Sequence, residues 1–438
     1  MTSRLADGYP RLETSRPFAA FGKVARVTGH EFEIRGLRLR VGDALTVHGE
    51  RGATPGRVIS LGPNGANALL FGEPAGIGMG DQVSRIPGGL HASISEELIG
   101  RVVDGLGRPL DGGPPIEGPV VPIDSPALGA LDRMRIDEPL PVGVTVLDTF
   151  VTTGKGQRLG IFGGSGVGKS TLLGMMARGT AADVTVLALV GERGREVREF
   201  IEDELGEEGM RRAVVVVATS DQPALLRIRA AQLATRIAEW FADQGSDVLL
   251  MMDSLTRLAM AQREVGLAAG EPPTARGYTP SVFGEMARLL ERAGPRRIGT
   301  ITGYYTVLVE GDDMNDPIAD AARSILDGHV IIERRLATAG RYPAVDPLTS
   351  LSRLQPKLVS ADRLGMVHAA RDLIAAADEV RDLVEVGAYV PGTNPVADRG
   401  LAAAPVIAEF LKQPAHETRA YEQAWQGLDA LDVLRGSS

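Results

Sequence analysis

The sequence predicts an α/β protein in three parts: a small N-terminal β-barrel, a mainly parallel sheet covered by helices on both faces, and a helical C-terminal domain. Three observations carry this prediction. From 21 to 87 short β-type runs are broken by glycine. From 149 to 355 apolar strands alternate with helical patterns, and beyond Lys357 the strand signals give way to helical ones. Boundaries drawn at these shifts give domains 1–88, 89–357 and 358–438.

In order along the chain, the barrel runs are GKVARVTG, HEFEIRGLRLRVGD, ALTVHGE, GRVISLG, NALLFG and DQVSRI. An oligonucleotide-binding barrel would show exposed aromatics among basic residues, whereas Phe18, Phe21, Phe32 and Phe71 are scattered. An oligomerisation collar is the better expectation. The Gly- and Pro-rich stretch 88–146, including RVVDGLGRPLDGGPP, reads as a linker wrapped over the next domain. Sheet strands are expected at 158–162, 184–190, 214–218, 248–253, 298–302 and 329–333. The tail carries helical patterns in MVHAARDLIAAADEVRDLVEV and HETRAYEQAWQGLDALDVL.

One stretch organises the rest. Gly163, Gly164, Ser165, Gly166, Val167, Gly168, Lys169 and Ser170 read GGSGVGKS, which fits G-x-x-x-x-G-K-[ST] at every fixed position. The glycines give freedom to a turn whose amides all face an anion, and they keep bulk away from a phosphate. Lys169 offers a point charge to the β- and γ-phosphates, Ser170 a hydroxyl for Mg²⁺, and the following helix its positive end. Thr171 is a candidate for the α-phosphate. Upstream lies an apolar run, GQRLGIF, and downstream a helical one, TLLGMMAR, so strand, loop and helix follow in the required order.

Two later strands end in carboxylates. VLLMMD closes on Asp253, the form a second Mg²⁺-holding motif takes beside such a loop; a cap for the helix SLTRLAMAQRE is the lesser reading, and the two roles can coexist. VTVLALV leads into GERGREVREF and sets Glu192 at the carboxyl end of a strand, where open α/β sheets keep their ligands. Glu192 is placed to orient an attacking water, and Arg193 to neutralise charge on the γ-phosphate. Without the loop before it, this charge run would read as a solvated helix start.

Composition bounds the alternatives. With 438 residues, 44% hydrophobic and 24% charged, the chain has the make-up of a soluble globular protein of two or three domains. A net charge of -9 and only 4% aromatic residues argue against a nucleic-acid binder. The absence of cysteine excludes disulfides, thiolate metal sites and a thiol nucleophile, and fits a reducing compartment. Neither a signal-like start nor a long apolar run is present, so any membrane contact is expected to be peripheral. The acidic run EGDDMNDPIAD, 310–320, lacks the glycine and terminal glutamate of a calcium loop and reads as solvated. The six histidines show no ligand spacing.

Four stretches carry a family resemblance: GKGQRLGIFGGSGVGKSTLLGMMARGT, LVGERGREVREFIEDELG, LLMMDSLTRLAMAQREVGLAAGEPPTARGYTPSVFGEMARLLERAG and YYTVLVEGDDMNDPIADAARSILDGHVIIERRLATAGRYPAVDPLTSLSRL. Together they resemble the bacterial flagellar protein-export ATPases and their sisters, the ATPases of type III secretion injectisomes. Both are similar to the catalytic head subunits of rotary ATP synthases. The likeness runs from Phe21 onward, and GSGVGKSTLLGMMAR favours the flagellar branch.

That resemblance implies a RecA-like P-loop domain and ATP hydrolysis with Mg²⁺ in a cytoplasmic homohexamer at the inner face of the membrane. Glu192, in GER, matches the family's catalytic glutamate, which speaks against a non-hydrolysing structural subunit. Tyr342, in GRYPAVDPL, matches the aromatic that packs on adenine. Arg353, in SLSRL, matches an arginine finger that reaches a neighbour's γ-phosphate, and the acidic run matches a loop facing the ring's central channel. Implied partners are a coiled-coil stalk protein, an export regulator, an export gate at the membrane, and exported substrates or their chaperones, with no nucleic acid. The segment before the barrel is short and holds Pro10 and Pro17, where flagellar relatives carry a longer amphipathic helix. A hexameric RNA translocase of the transcription-terminator type is the alternative from another class.

Overall fold

The computed structural model describes residues 20–129, 131–309 and 313–434; Pro10, Pro17 and Phe18, and 310–312 of the acidic run, lie outside the described residues. The strands β1 (Phe21–Thr28), β2 (Glu31–Arg35), β3 (Ala44–Gly49), β4 (Gly52–Gly62), β5 (Gly65–Leu70) and β6 (Gln82–Arg85) close into an antiparallel barrel, in the order β1-β2-β5-β4-β3-β6. Alternation explains it: Phe32 and Ile34 of β2 and Ala66, Ala68 and Leu70 of β5 point into one core with Val24, Leu45 and Val47. The run expected as strand over 30–43 stops at Arg35. Gly36 and Gly42 take positive φ values of 80° and 89°, and the Asp43 carboxylate accepts the Arg40 amide at 2.9 Å, so the chain turns; Leu39 returns to the core and Leu37 packs half-buried against it.

The stretch expected as a linker is partly sheet. β7 (His91–Ser93) pairs antiparallel with β9 (Val120–Pro122), while between them β8 (Val102–Asp104) adds a parallel edge strand to the main sheet. That sheet continues through β10 (Arg158–Gly163), β11 (Val184–Glu192), β12 (Ala213–Thr219), β13 (Asp247–Asp253), β15 (Thr300–Leu308), β16 (Gly328–Ile331) and β17 (Leu351–Ser352). Its order is β17-β16-β10-β15-β13-β11-β12-β8, with β14 (Gly294–Pro295) paired on β15. All neighbours are parallel except β17 on β16 and β14 on β15. The strand expected at 298–302 runs instead from Thr300 to Leu308: Ile298 is exposed, whereas Tyr304 and Tyr305, whose hydroxyls blur the apolar pattern, are fully buried.

Successive residues of the central strands feed opposite cores. Val186, Ala188 and Val190 of β11 pack with the helices Ala224–Asp243, Leu255–Ala268 and Pro280–Leu290. Leu187 and Leu189 pack with the helix Lys169–Gly179 and with the C-terminal helices Ala361–Glu379, Pro395–Leu411 and Tyr421–Asp429. Pro395–Leu411 was hidden from periodicity by Pro405 in its interior; Asn394 caps it by accepting the Val396 and Ala397 amides. Among the described residues no helix is long and apolar enough to cross a membrane.

Candidate active site

Strand β10 ends at Gly163 and the helix Lys169–Gly179 begins six residues later, so the intervening loop faces the carboxyl end of the sheet. Gly166 and Gly168 adopt φ of 75° and 95°, which a side chain resists. Gly163 is constrained differently, since a Cβ there would stand 3.0 Å from the Ile332 carbonyl oxygen. Val167 does not line the cavity; it is buried and anchors the loop in the core beneath. Lys169 is buried and donates from Nζ to the carbonyls of Gly163, at 3.1 Å, and of Gly164. Burial lowers its pKa, and the charges of Asp253 and Glu192 oppose that shift. Ser170 is exposed at the helix start, whereas the Thr171 hydroxyl donates to a Glu204 carboxylate oxygen at 2.7 Å.

The loop opens into a cavity of about 800 Å³ that also takes in Glu192, Arg193 and Asp253. Asp253 ends β13 and is buried; the Thr306 hydroxyl of β15 donates to its Oδ1 at 2.6 Å. The cap of the next helix is Ser254, whose hydroxyl accepts the Arg257 amide, which leaves Asp253 free of that duty. Burial raises the proton affinity of Asp253. Glu192 ends β11, one strand away, and is pushed up to about 8 by burial, then by the charge of Asp253 and a hydrogen bond shared with Glu196. Arg257 opposes both shifts. Arg193 lies largely in solvent, its Nη1 2.8 Å from Glu196 Oε1.

Tyr342 and Arg353 also lie outside this cavity. Tyr342 is half exposed, and its ring would be 3.7 Å from a Cβ placed on Gly168. It lines a mainly apolar cavity of about 290 Å³ with Pro343, Ile374, Leu401, Ala404 and Pro405, between the loop side of the sheet and the C-terminal helices. Arg353 follows edge strand β17 beside the start of β16, at the amino end of the parallel strands and away from the loop, exposed, with Nη2 3.2 Å from the Arg323 carbonyl oxygen. One chain therefore does not bring Arg353 to its own loop.

Residues 143–352 match the model of the ATP synthase alpha/beta family, nucleotide-binding domain, and 359–430 that of the T3SS EscN ATPase C-terminal domain. The chain is 47% identical to the flagellum-specific ATP synthase of Bacillus subtilis, covering 96% of this chain and 97% of that one. It is also 47% identical to the type 3 secretion system ATPase of Xanthomonas euvesicatoria, covering 94% of each. This chain belongs to the flagellar and type III secretion ATPase family. It superposes with a TM-score of 0.86 and 40% identity on the assembled ATPase EscN in complex with its central stalk EscO, from enteropathogenic E. coli, covering 94% of this chain and all of that one.

Family membership sets aside the RNA-translocase alternative. The donor set for Mg²⁺ fits an ion that arrives with a nucleotide: among the described residues no three acidic or histidine side chains form a cage, but Asp253, braced by Thr306, and the Ser170 hydroxyl offer hard oxygen ligands beside the loop. Sequence reasoning missed Arg257, Arg334, Thr306 and Glu196. Arg334 lines the cavity and donates to the Ser165 carbonyl oxygen at 3.0 Å. The spacing D-S-L-T-R, which returns Arg257 one helical turn after Asp253, was the available signal for that residue.

Proposed function

We propose that this chain is an ATPase that energises type III protein export, with flagellar export the favoured system and a virulence injectisome the alternative. The carrying observation is the convergence of Lys169, Glu192 and Asp253 on one cavity at the carboxyl ends of three strands of one parallel sheet. In hydrolysis, water attacks the γ-phosphorus in line, the bond to the leaving ADP oxygen breaks, and the proton of the water leaves through an acceptor. Glu192, once ionised, orients that water and takes the proton. Loop amides and Lys169 hold the β- and γ-phosphates, and the hydroxyl of Ser170 with the carboxylate of Asp253 would hold Mg²⁺, which supplies charge neutralisation. Tyr342 offers its ring to the adenine.

Arg353 is exposed at the amino end of the sheet, away from its own loop, which suits a residue that serves the next subunit of a ring. A homohexamer with nucleotide between subunits follows as our reading, with a coiled-coil stalk in its pore. An export regulator, the membrane export gate, and substrates or chaperones complete the set of partners, at the cytoplasmic face of the inner membrane. The test is Mg²⁺-dependent phosphate release by the purified chain against Lys169→Ala, with and without RNA. Hydrolysis lost in the variant and indifferent to RNA is expected; hydrolysis that needs RNA, or survives in Lys169→Ala, overturns the reading.

A further inference from the structure

One arginine in the nucleotide cavity lies outside the chemistry assigned above. Arg276 sits in the turn between the helices Leu255–Ala268 and Pro280–Leu290, and lines the same cavity as Lys169 and Glu192. It is the one non-glycine residue with positive φ, 51°, among the described residues, a conformation that a side chain resists. The turn is closed by the Thr274 amide and hydroxyl, which both donate to the Tyr278 carbonyl oxygen at 2.7 Å. What this backbone achieves is reach: the guanidinium spans to Asp313 and, at 2.8 Å, to Oδ2 of Asp316.

Asp316 has a second task. Its Oδ1 accepts the Ile318 and Ala319 amides at 2.9 and 3.4 Å, so it caps the helix Pro317–Ile325 while its other oxygen holds Arg276. The far end of that helix carries Arg323. The Arg323 carbonyl accepts Arg353 Nη2 at 3.2 Å, and just beyond the helix the Asp327 carbonyl accepts the Arg353 amide at 3.0 Å. Arg323 also donates from Nη2 to the Met314 carbonyl, at 3.0 Å, tying the helix end back to the segment that Arg276 grips. A single set of contacts thus runs from the chain's own cavity, along one helix, to the guanidinium at the other end of the strands.

We infer that Arg276 is a positioning residue for Arg353: by gripping Asp313 and Asp316 it sets the helix Pro317–Ile325, and with it the guanidinium this subunit presents to its neighbour. The inference rests on the reading that Arg353 acts in trans.

The experiment is a double-mutant cycle on the assembled full-length enzyme, reading kcat and KM for MgATP, with amide hydrogen exchange over 317–325 as the structural readout. Arg276→Ala should lower kcat roughly three- to thirtyfold, as for residues that bias a site through intervening structure, leave KM nearly unchanged and speed exchange in 317–325. Arg276→Lys should recover part of the loss. In an Arg353→Lys background, chosen because it keeps residual turnover, Arg276→Ala should cause no further fall. A raised KM at unchanged kcat would show Arg276 to be a nucleotide contact, and losses that multiply would show it to act apart from Arg353; either overturns the inference while leaving Arg353 in its role. Full turnover in Arg353→Lys removes the trans reading, and this inference falls with it.

Discussion

Glu192 and Asp253 close two neighbouring parallel strands, and the carboxylate of Asp253 adds to burial in holding the proton on Glu192 up to about pH 8. A carboxyl that keeps its proton near neutrality is poised to serve as a base rather than active as one, because its ionisation depends on what else enters the cavity. Positive charge brought to Asp253 relieves the repulsion, so ionisation of Glu192 is coupled to loading of the site.

This coupling fixes the pH behaviour. Wild-type turnover should rise with pH along a limb at or below about 8, and Glu192→Gln should lack that limb while losing about 10²- to 10⁴-fold in kcat. Nucleotide affinity, followed by a fluorescent ATP analogue, should stay within about threefold.

The same residue gives a stability prediction. An unfolded chain releases the Glu192 proton near 4.5 and the folded one near 8, so between those values folding takes up a proton and stability falls as pH rises. Glu192→Gln escapes this loss. Its melting temperature without nucleotide should match wild type at pH 4 and exceed it at pH 8.5; a constant difference across that range would contradict the raised pKa.

If Arg353 completes the neighbour's site, two dead variants should rescue each other. Arg353→Ala keeps an intact loop and Lys169→Ala keeps an intact arginine, so each alone should lose on the order of 10³-fold in turnover. Mixed before assembly, they form interfaces in which one supplies the loop and the other the guanidinium, and phosphate release should reappear. No recovery in verified mixed assemblies would place Arg353 outside the reaction.

Tyr342 stands half exposed at the mouth of an apolar cavity beside Gly168. Tyr342→Ala should weaken ATP binding by about 1–3 kcal/mol, the worth of a base stacked on an aromatic ring, raising KM with little change in kcat. Tyr342→Phe should restore it. A loss confined to kcat would count against a base platform.

Away from the site, Glu239 is fully buried and holds Arg292 through two hydrogen bonds of 2.7 and 3.0 Å, with Arg236 at 3.3 Å. Glu239→Leu strands both guanidinium groups and should cost ~3–5 kcal/mol, read as a lowered urea midpoint. The double change Glu239→Leu/Arg292→Met should recover much of it.

Local patterns made much of this molecule readable. The barrel strands announce themselves by alternation between glycines, the loop by its spacing, and Glu192 and Asp253 by ending apolar runs. What stayed hidden depends on distant partners. Thr306 meets Asp253 only because β15 lies parallel to β13 with Tyr305 opposite Met252, a register that no local window contains. Three residues, Val102–Asp104, make a strand inside a Gly- and Pro-rich stretch because β12 offers them backbone partners, which leaves no periodicity to detect. Tyr342 and Arg353 carry no local signal at all and are singled out by resemblance alone.

That short strand has a practical consequence. The nucleotide-binding family match opens at residue 143, yet β8 pairs Val102 with Val215 and Asp104 with Val217. Trimming the chain at the evolutionary boundary would strip this cover and bare the amides and carbonyls of a valine-rich edge, an invitation to fibrillar self-association. The inherited unit and the self-sufficient unit do not share a border: a fragment meant to stay monodisperse has to begin before Arg101.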